Sequence, residues 1–157
     1  DSKEVLQLVT FRLGNEEYSL DILSVQEIIR KMELTRVPRA PEFVEGVINL
    51  RGRVIPVIDL RKRFGLPPSN AKGDETRIIV VEIEDKTVGL KVDAVSEVLR
   101  MSADKVEPPP SIVTDVDSEY IKGVGKIDGR LLILLDVAKL LTRTEKEVLA
   151  SADKAVA

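Results

Sequence analysis

The sequence predicts an all-β protein made of two small five-stranded barrels that share a core. Three observations predict this fold class: an internal repeat, short apolar segments separated by turn residues, and a length that suits one domain. The chain has 157 residues, enough to bury a core without disulfides or metals. We therefore expect a single domain over 1–157, with repeat units at 6–66 for the first barrel and 75–141 for the second.

The repeat rests on three pairs of segments that recur in the same order. VQEIIR at 25–30 resembles VSEVLR at 95–100, EFVEGV at 42–47 resembles EYIKGV at 119–124, and LRGRVIPVID at 50–59 resembles IDGRLLILLD at 127–136. A single insertion separates the first pair from the other two, in a stretch that contains three consecutive prolines. Three ordered blocks indicate a duplicated unit.

Each repeat contains the pattern of five short strands. A hairpin opens each unit, at 6–13 and 17–22 and again at 78–83 and 87–92, and a third strand follows it. A second hairpin closes each unit around Arg51-Gly52 or Asp128-Gly129. Closing five strands into a barrel removes exposed sheet edges.

Two further segments complete the predicted architecture. The turn-rich composition of 65–74 predicts a linker between the units. Helical spacing of apolar residues after Asp136, and a capping-box pattern from Thr144 to Glu147, predict a C-terminal helix or tail over 142–157.

Composition excludes several classes of function. The chain lacks Cys, His and Trp, which removes disulfides, Cys or His zinc sites and catalysis by His or Cys. A net charge of -3 and only five Phe and Tyr residues argue against nucleic acid as a partner. No apolar stretch approaches the roughly 20 residues of a bilayer span, so we expect a cytoplasmic protein without membrane insertion. We predict no cofactor and no metal.

Carboxylates leave one enzymatic alternative, a hydrolase that uses Asp59 or Asp136. These aspartates occupy equivalent positions at the end of an apolar strand, where the simpler interpretation is a helix N-cap. Capping predicts an aspartate in both copies and catalysis does not. We therefore favour capping, and an N-cap predicts no activity that an Asp→Asn change would abolish.

Equivalent positions of the repeat also separate structural from functional residues. Gly46 and Gly123 interrupt strand patterns at matched positions, which indicates a bulge or a close backbone approach. Arg51 corresponds to Asp128 at the same hairpin corner, so the fold does not itself require arginine there. A guanidinium at this corner is therefore available for bidentate recognition of a partner, with a solvated turn residue as the alternative.

The runs FVEGVINLRGRVIPVIDL at 43–60 and YSLDILSVQEI at 18–28 closely resemble the CheW family, the coupling proteins of bacterial chemotaxis. The resemblance extends from about residue 8 to residue 141. It implies two packed, five-stranded SH3-like barrels and a non-enzymatic role. A protein of this family links the cytoplasmic tip of methyl-accepting chemoreceptors to the regulatory domain of the histidine kinase CheA, in arrays at the inner face of the cytoplasmic membrane. The alternative within this class is a CheW-like adaptor of a different kinase or motility pathway.

The resemblance also implies two sets of binding residues. The receptor-binding positions of the family match Val25, Glu27, Gly46 and Arg51, with Val98 from the second copy. We expect Val25, Ile28 and Val98 to line an apolar groove, while Glu27 and Arg51 orient the receptor helix. For the kinase, the equivalent contact lies near Glu107 and Ile112, where the family can carry a basic residue and an aromatic one.

Overall fold

A computed structural model describes residues 4–67, 75–108 and 120–140, and it confirms the mainly β fold. Both predicted hairpins of each repeat are present. Within the described ranges, one short α-helix, α1 (Leu60–Arg63), follows the strand that ends at Asp59, and 3₁₀ helices cover Ile22–Ser24, Ala103–Lys105 and Val137–Lys139. The strands are β1 (Val5–Leu13), β2 (Glu16–Asp21), β3 (Val25–Arg30), β4 (Val44–Leu50), β5 (Arg53–Asp59), β6 (Arg77–Ile83), β7 (Lys86–Val92), β8 (Ala94–Ser102), β9 (Val106–Glu107), β10 (Ile121–Ile127) and β11 (Arg130–Leu135).

The strands form two sheets. The first sheet has the order β8-β1-β2-β11-β10-β9, and the second has the order β3-β6-β7-β5-β4. Neighbouring strands are antiparallel except for two matched pairs, β2 with β11 and β5 with β7, which are parallel. The two sheets therefore repeat the same arrangement.

The sheets do not follow the predicted division into barrels at 6–66 and 75–141. The opening hairpin β1–β2 of the first repeat lies in the sheet of the second, and β6–β7 lies in the sheet of the first. The 3₁₀ helix Ile22–Ser24, which begins where the Asp21 side chain accepts the Leu23 amide, carries the chain from β2 in one sheet to β3 in the other. Each sheet is thus shared between the repeats, and the two halves are interlocked.

The ends of each sheet approach one another, as a barrel requires. In the first sheet the terminal strands β8 and β9 are separated in the chain only by Ala103–Lys105. In the second sheet, Thr35, five residues after β3, pairs with Val47 on β4 through two backbone hydrogen bonds of 2.9 and 2.8 Å. Such closure satisfies backbone groups that an open sheet edge would leave exposed.

The buried apolar residues of the described ranges form three clusters. One small cluster belongs to each sheet, around Leu8 and Leu134 in the first and around Ile78 and Val57 in the second. The largest cluster contains all five aromatic residues and strands from both sheets. Four aromatic rings contact one another in the order Phe11, Tyr18, Phe64 and Tyr120, with centroid separations of 5.4 to 6.0 Å. This shared cluster is the common core that the sequence predicts.

Several predicted features lie outside the described residues. They are the C-terminal helix or tail at 142–157 with its capping box, most of the linker at 65–74, and Ile112. The helical pattern after Asp136 begins as the 3₁₀ helix Val137–Lys139.

Candidate functional site

A β-bulge in β3 brings Val25 and Ile28 to the same face of the second sheet. Val25 pairs with Val81, and Ile28 pairs with Ile79, while Gln26 is the additional residue between them. Val81 and Ile79 both belong to the core between the sheets, so the side chains opposite them point to that side. Without the bulge, residues three apart on a strand would face opposite sides. Val25 packs against this core, and Ile28 is 39% exposed.

Glu27 and Arg51 form an ion pair at the junction where the second sheet closes. The Nη2 group of Arg51 donates to Oε2 of Glu27, which joins the first strand, β3, to the β4–β5 turn. The Arg51 side chain is 68% exposed and that of Glu27 is 33% exposed. The two charged side chains that we expect to orient the receptor helix are therefore in contact with each other. The Arg51 guanidinium still has N–H donors open to solvent.

Arg51 occupies a backbone conformation that disfavours it. Arg51 and Gly52 have φ values of 52° and 85°, and Asp128 and Gly129 have values of 51° and 78° in the equivalent turn. Aspartate tolerates this left-handed region better than arginine does. Since the same turn forms with Asp128, turn geometry does not account for the arginine, which agrees with the comparison of the repeats.

Gly46 has a structural role, as the alternative interpretation of the sequence predicts. It lies in a bulge of β4, and a Cβ atom at this position would be 2.5 Å from the carbonyl oxygen of Thr35. Gly123 occupies the matching bulge of β10, where a Cβ atom would meet the Val106 side chain at 2.4 Å. Gly46 is itself buried, so it positions the sheet closure beside Arg51 and offers a partner little surface.

Val98 lies on β8, in the other sheet from the remaining receptor-site residues. A bulge at Ser96 places Val95 and Val98 opposite Phe11 and Val9, which belong to the core between the sheets. Val98 is therefore the counterpart of Ile28, and it is 54% exposed. The two residues lie exposed at equivalent places, one in each sheet, on the side of the strand that faces the core.

The predicted kinase-binding residues are located only in part. Glu107 is exposed on β9 at the edge of the first sheet, where it pairs with Val124. Ile112 is outside the described residues. Glu107 thus lies in a different sheet from the Glu27–Arg51 pair.

The structure also contains an ion pair that sequence reasoning missed. Arg61 on α1 holds the carboxylate of Asp93 through Nε and Nη2, at 2.9 and 2.6 Å, and the Gly14 amide donates to the same carboxylate at 2.8 Å. Burial acts to raise the pKa of Asp93, but the hydrogen bonds from Arg61 and Gly14 outweigh it, and the pKa is lowered. Its sequence signal is a break in the repeat, because the positions equivalent to Arg61 and Asp93 are Ala138 and Leu23.

Asp59 and Asp136 are N-caps, as predicted. Oδ1 of Asp59 accepts the Arg61 amide at 3.0 Å, and Oδ1 of Asp136 accepts the Ala138 amide at 3.1 Å. Burial raises the pKa of Asp59, and so does a hydrogen bond in which its protonated carboxyl group donates to the Glu45 carboxylate. Glu45 also lies near the amines of Lys62 and Lys91, at 3.5 and 3.7 Å.

The capping role predicts a modest loss on mutation. Asp136→Ala is expected to lower the free energy of unfolding by about 1 kcal/mol, because the Ala138 amide loses its acceptor. Urea denaturation of the two proteins measures this difference. Asp136→Asn, which keeps an acceptor oxygen, should lose much less; an equal loss for both variants would contradict the capping assignment.

Comparison with known proteins identifies the family. A model of the CheW-like domain matches residues 7–145. The chain belongs to the CheW family. It is 39% identical to the chemotaxis protein CheW of Treponema pallidum, over 94% of this chain and 89% of that protein. It is 41% identical to CheW of Klebsiella aerogenes, over 88% of this chain and 83% of that protein.

A solved structure supports the same assignment. The crystal structure of the scaffolding protein TtCheW from Thermoanaerobacter tengcongensis is similar with a TM-score of 0.83 and 41% sequence identity, and the match covers 92% of each chain. A CheW-family chain is a coupling or scaffolding protein of chemotaxis and not an enzyme. The hydrolase alternative is therefore rejected, in agreement with the capping geometry of both aspartates.

The described part of this CheW-family chain has neither a metal-binding cluster nor a membrane-spanning helix. No group of three or more acidic side chains there is placed to hold a metal ion. None of its helices is long and apolar enough to cross a bilayer.

Proposed function

We propose that the protein couples methyl-accepting chemoreceptors to the histidine kinase CheA through two separate surfaces. The receptor surface comprises Val25, Ile28, Glu27 and Arg51, with Val98 from the first sheet. Val25 packs against the core between the sheets, whereas Ile28 and Val98 are exposed, and a receptor helix can cover these side chains with its own apolar face. Its two charges then fix the register of that helix.

The exposure and backbone conformation of Arg51 are the observations that support this proposal most directly. It retains a mostly exposed guanidinium at a left-handed turn position that the equivalent turn fills with aspartate. The backbone conformation disfavours arginine at this position, and the fold does not require it. Recognition of a partner protein is therefore the best explanation for its presence. The planar guanidinium can keep Glu27 as one partner and donate its remaining N–H groups to carbonyl or carboxylate oxygens of the receptor.

The proposed kinase surface is the part of the first sheet near Glu107. A ternary complex needs the regulatory domain of CheA and the receptor tip on different parts of the chain. Glu107 and the Glu27–Arg51 pair meet that requirement because they lie in different sheets. Through both contacts the protein would be recruited from the cytoplasm to receptor arrays at the inner face of the membrane. Pull-downs in which receptor and CheA fragments compete for the chain would contradict this arrangement.

Arg51→Ala is expected to weaken receptor coupling about tenfold, equivalent to roughly 1.4 kcal/mol. Binding weakens because the receptor loses a bidentate hydrogen-bond donor. The fold should remain intact, because the equivalent turn of the other repeat forms with Asp128. Receptor-dependent activation of CheA in a reconstituted assay measures the effect, and circular dichroism checks the fold. Asp128→Ala is the matched control and should leave activation unchanged. Full activation by a folded Arg51→Ala protein would refute the assigned role.

The same assay separates the runner-up function, an adaptor for a different kinase pathway. That alternative predicts that the wild-type chain fails to activate CheA with any chemoreceptor fragment. Activation of CheA by the wild-type chain decides for chemotaxis.

A further inference from the structure

A cavity of about 450 Å³ opens between the first sheet and the end of β6. Its volume lies within the range of sites that bind small molecules and side chains. One wall is apolar and contains Leu6, Leu8 and Leu134. Carboxylates line the cavity around this wall, and we refer to it as the acidic pocket.

Ser19 contributes a buried hydroxyl to the acidic pocket. The residue is 0% exposed, and its Oγ atom has no hydrogen-bond partner within the described protein. Burial of a hydroxyl without a partner is costly. In the second sheet the matching residue of β7 is Gly89, where a Cβ atom would be 2.7 Å from the Ile78 side chain. The hydroxyl is therefore particular to the acidic pocket and offers a polar contact at its apolar wall.

The repeat shows what fills the equivalent place in the other half of the molecule. The capping aspartates Asp59 and Asp136 correspond, so Arg61 corresponds to Ala138, and both residues donate their amides to the cap. Next to the Asp59 cap, the Arg61 guanidinium donates hydrogen bonds to Asp93. Next to the Asp136 cap, Ala138 lines the acidic pocket. Leu23, the counterpart of Asp93, is 90% exposed.

Two positions around the acidic pocket also carry charges opposite in sign to those at the equivalent positions of the other repeat. Arg12 and Lys91, which pair with Glu75 and Glu45 in the other half, correspond to Glu82 and Asp21 here. Within the described ranges, no lysine or arginine pairs with Asp21, Glu82 or Asp136. Among the described residues, the charged members of the lining are Glu4, Asp21, Glu82, Glu84, Asp136 and one cation, Lys122.

We propose that the acidic pocket binds an arginine side chain presented by a partner protein, which supplies from outside the guanidinium that Arg61 supplies internally in the other half. The planar donor group suits several carboxylates at once, and it leaves an N–H group for the Ser19 hydroxyl. The aliphatic part of arginine can cover Leu6 and Leu8. The acidic pocket adjoins the proposed kinase surface, because Val106 on β9 lines it beside Glu107, but its binding of arginine does not depend on the kinase assignment.

Nuclear magnetic resonance titration of the full ¹⁵N-labelled chain tests the proposal. The probe is the peptide acetyl-Ala-Ala-Arg-Ala-Ala-amide, and its control replaces arginine with citrulline, a neutral group of the same shape. We expect the arginine peptide to bind at least tenfold more tightly and to shift the amides of Ser19, Asp21 and Ala138. A lysine peptide should bind less tightly than the arginine peptide. Equal binding of arginine and citrulline peptides, or shifts confined to other surfaces, would overturn the proposal.

Variants of the chain test the same assignment from the other side. Ala138→Arg should place a guanidinium in the acidic pocket and abolish binding of the arginine peptide, whereas Lys139→Arg, one residue away, should not. Glu82→Gln keeps the shape of an exposed side chain and should weaken binding several-fold. Wild-type affinity in both Ala138→Arg and Glu82→Gln would show that the peptide binds elsewhere, while circular dichroism confirms that each variant is folded.

Discussion

Asp93→Ala is expected to lower the free energy of unfolding by about 3 kcal/mol, a large effect for a single surface-proximal carboxylate. The side chains of Arg61 and Asp93 are only 14% and 19% exposed, so the change leaves a largely buried guanidinium without its counter-charge. The Gly14 amide loses its acceptor as well. Since Asp93 connects β7 in one sheet to β8 in the other, the pair also helps to hold the two sheets together. Guanidinium chloride denaturation measures the loss.

The stabilisation from Asp93 should depend on pH in one direction. Its pKa is lowered in the folded protein, so its contribution is present above the unfolded value of about 3.9 and is lost as pH falls through the folded value. Wild-type stability should therefore fall on acidification more steeply than that of Asp93→Asn. Leu23→Ala, at the matched and exposed position, should change stability by less than about 0.5 kcal/mol. Parallel acid profiles for wild type and Asp93→Asn would contradict this account.

The strands of this fold are predictable from sequence because each depends on local information. Alternating or continuous apolar segments and two-residue turns define the hairpins around Arg51-Gly52 and Asp128-Gly129. The duplication then gives an internal test, since the same pattern occurs twice. The capping of α1 by Asp59 is local in the same sense, as its side chain accepts an amide two residues away.

Which strands pair is harder to predict from sequence, because the paired residues are far apart in the chain. The parallel pairs β2–β11 and β5–β7 draw strands from both repeats, and no local pattern records this exchange. The side on which a residue lies is also affected by bulges. Gln26 is an ordinary residue in sequence, yet its insertion places Val25 and Ile28 on one face of the candidate receptor surface. The Arg61–Asp93 pair was missed for the same reason: its members are far apart in sequence.

Gly46→Ala is expected to destabilise the protein by about 3 kcal/mol, because it combines a steric clash with backbone strain. A Cβ atom would lie 2.5 Å from the Thr35 carbonyl oxygen, which is backbone and cannot rotate away. The φ value of 154° adds strain for any residue other than glycine. To relieve the clash, the segment around Thr35 must move away from β4, which breaks its two hydrogen bonds to Val47. Thermal or chemical denaturation measures the loss, and hydrogen exchange should show faster exchange at the Thr35 and Val47 amides.

This prediction distinguishes a structural role for Gly46 from a direct contact with the receptor. Gly52→Ala is the matched control, because Gly52 also has a positive φ, 85°, but no atom lies within 4 Å of the added Cβ; its cost should be about 1 kcal/mol. If Gly46 acts through closure of the second sheet, Gly46→Ala should reduce receptor coupling and hydrogen-exchange protection together, since Arg51 follows on the same strand and turn. Reduced coupling with unchanged stability and exchange would instead make Gly46 a contact residue, and the close approach of Thr35 would then have no part in binding.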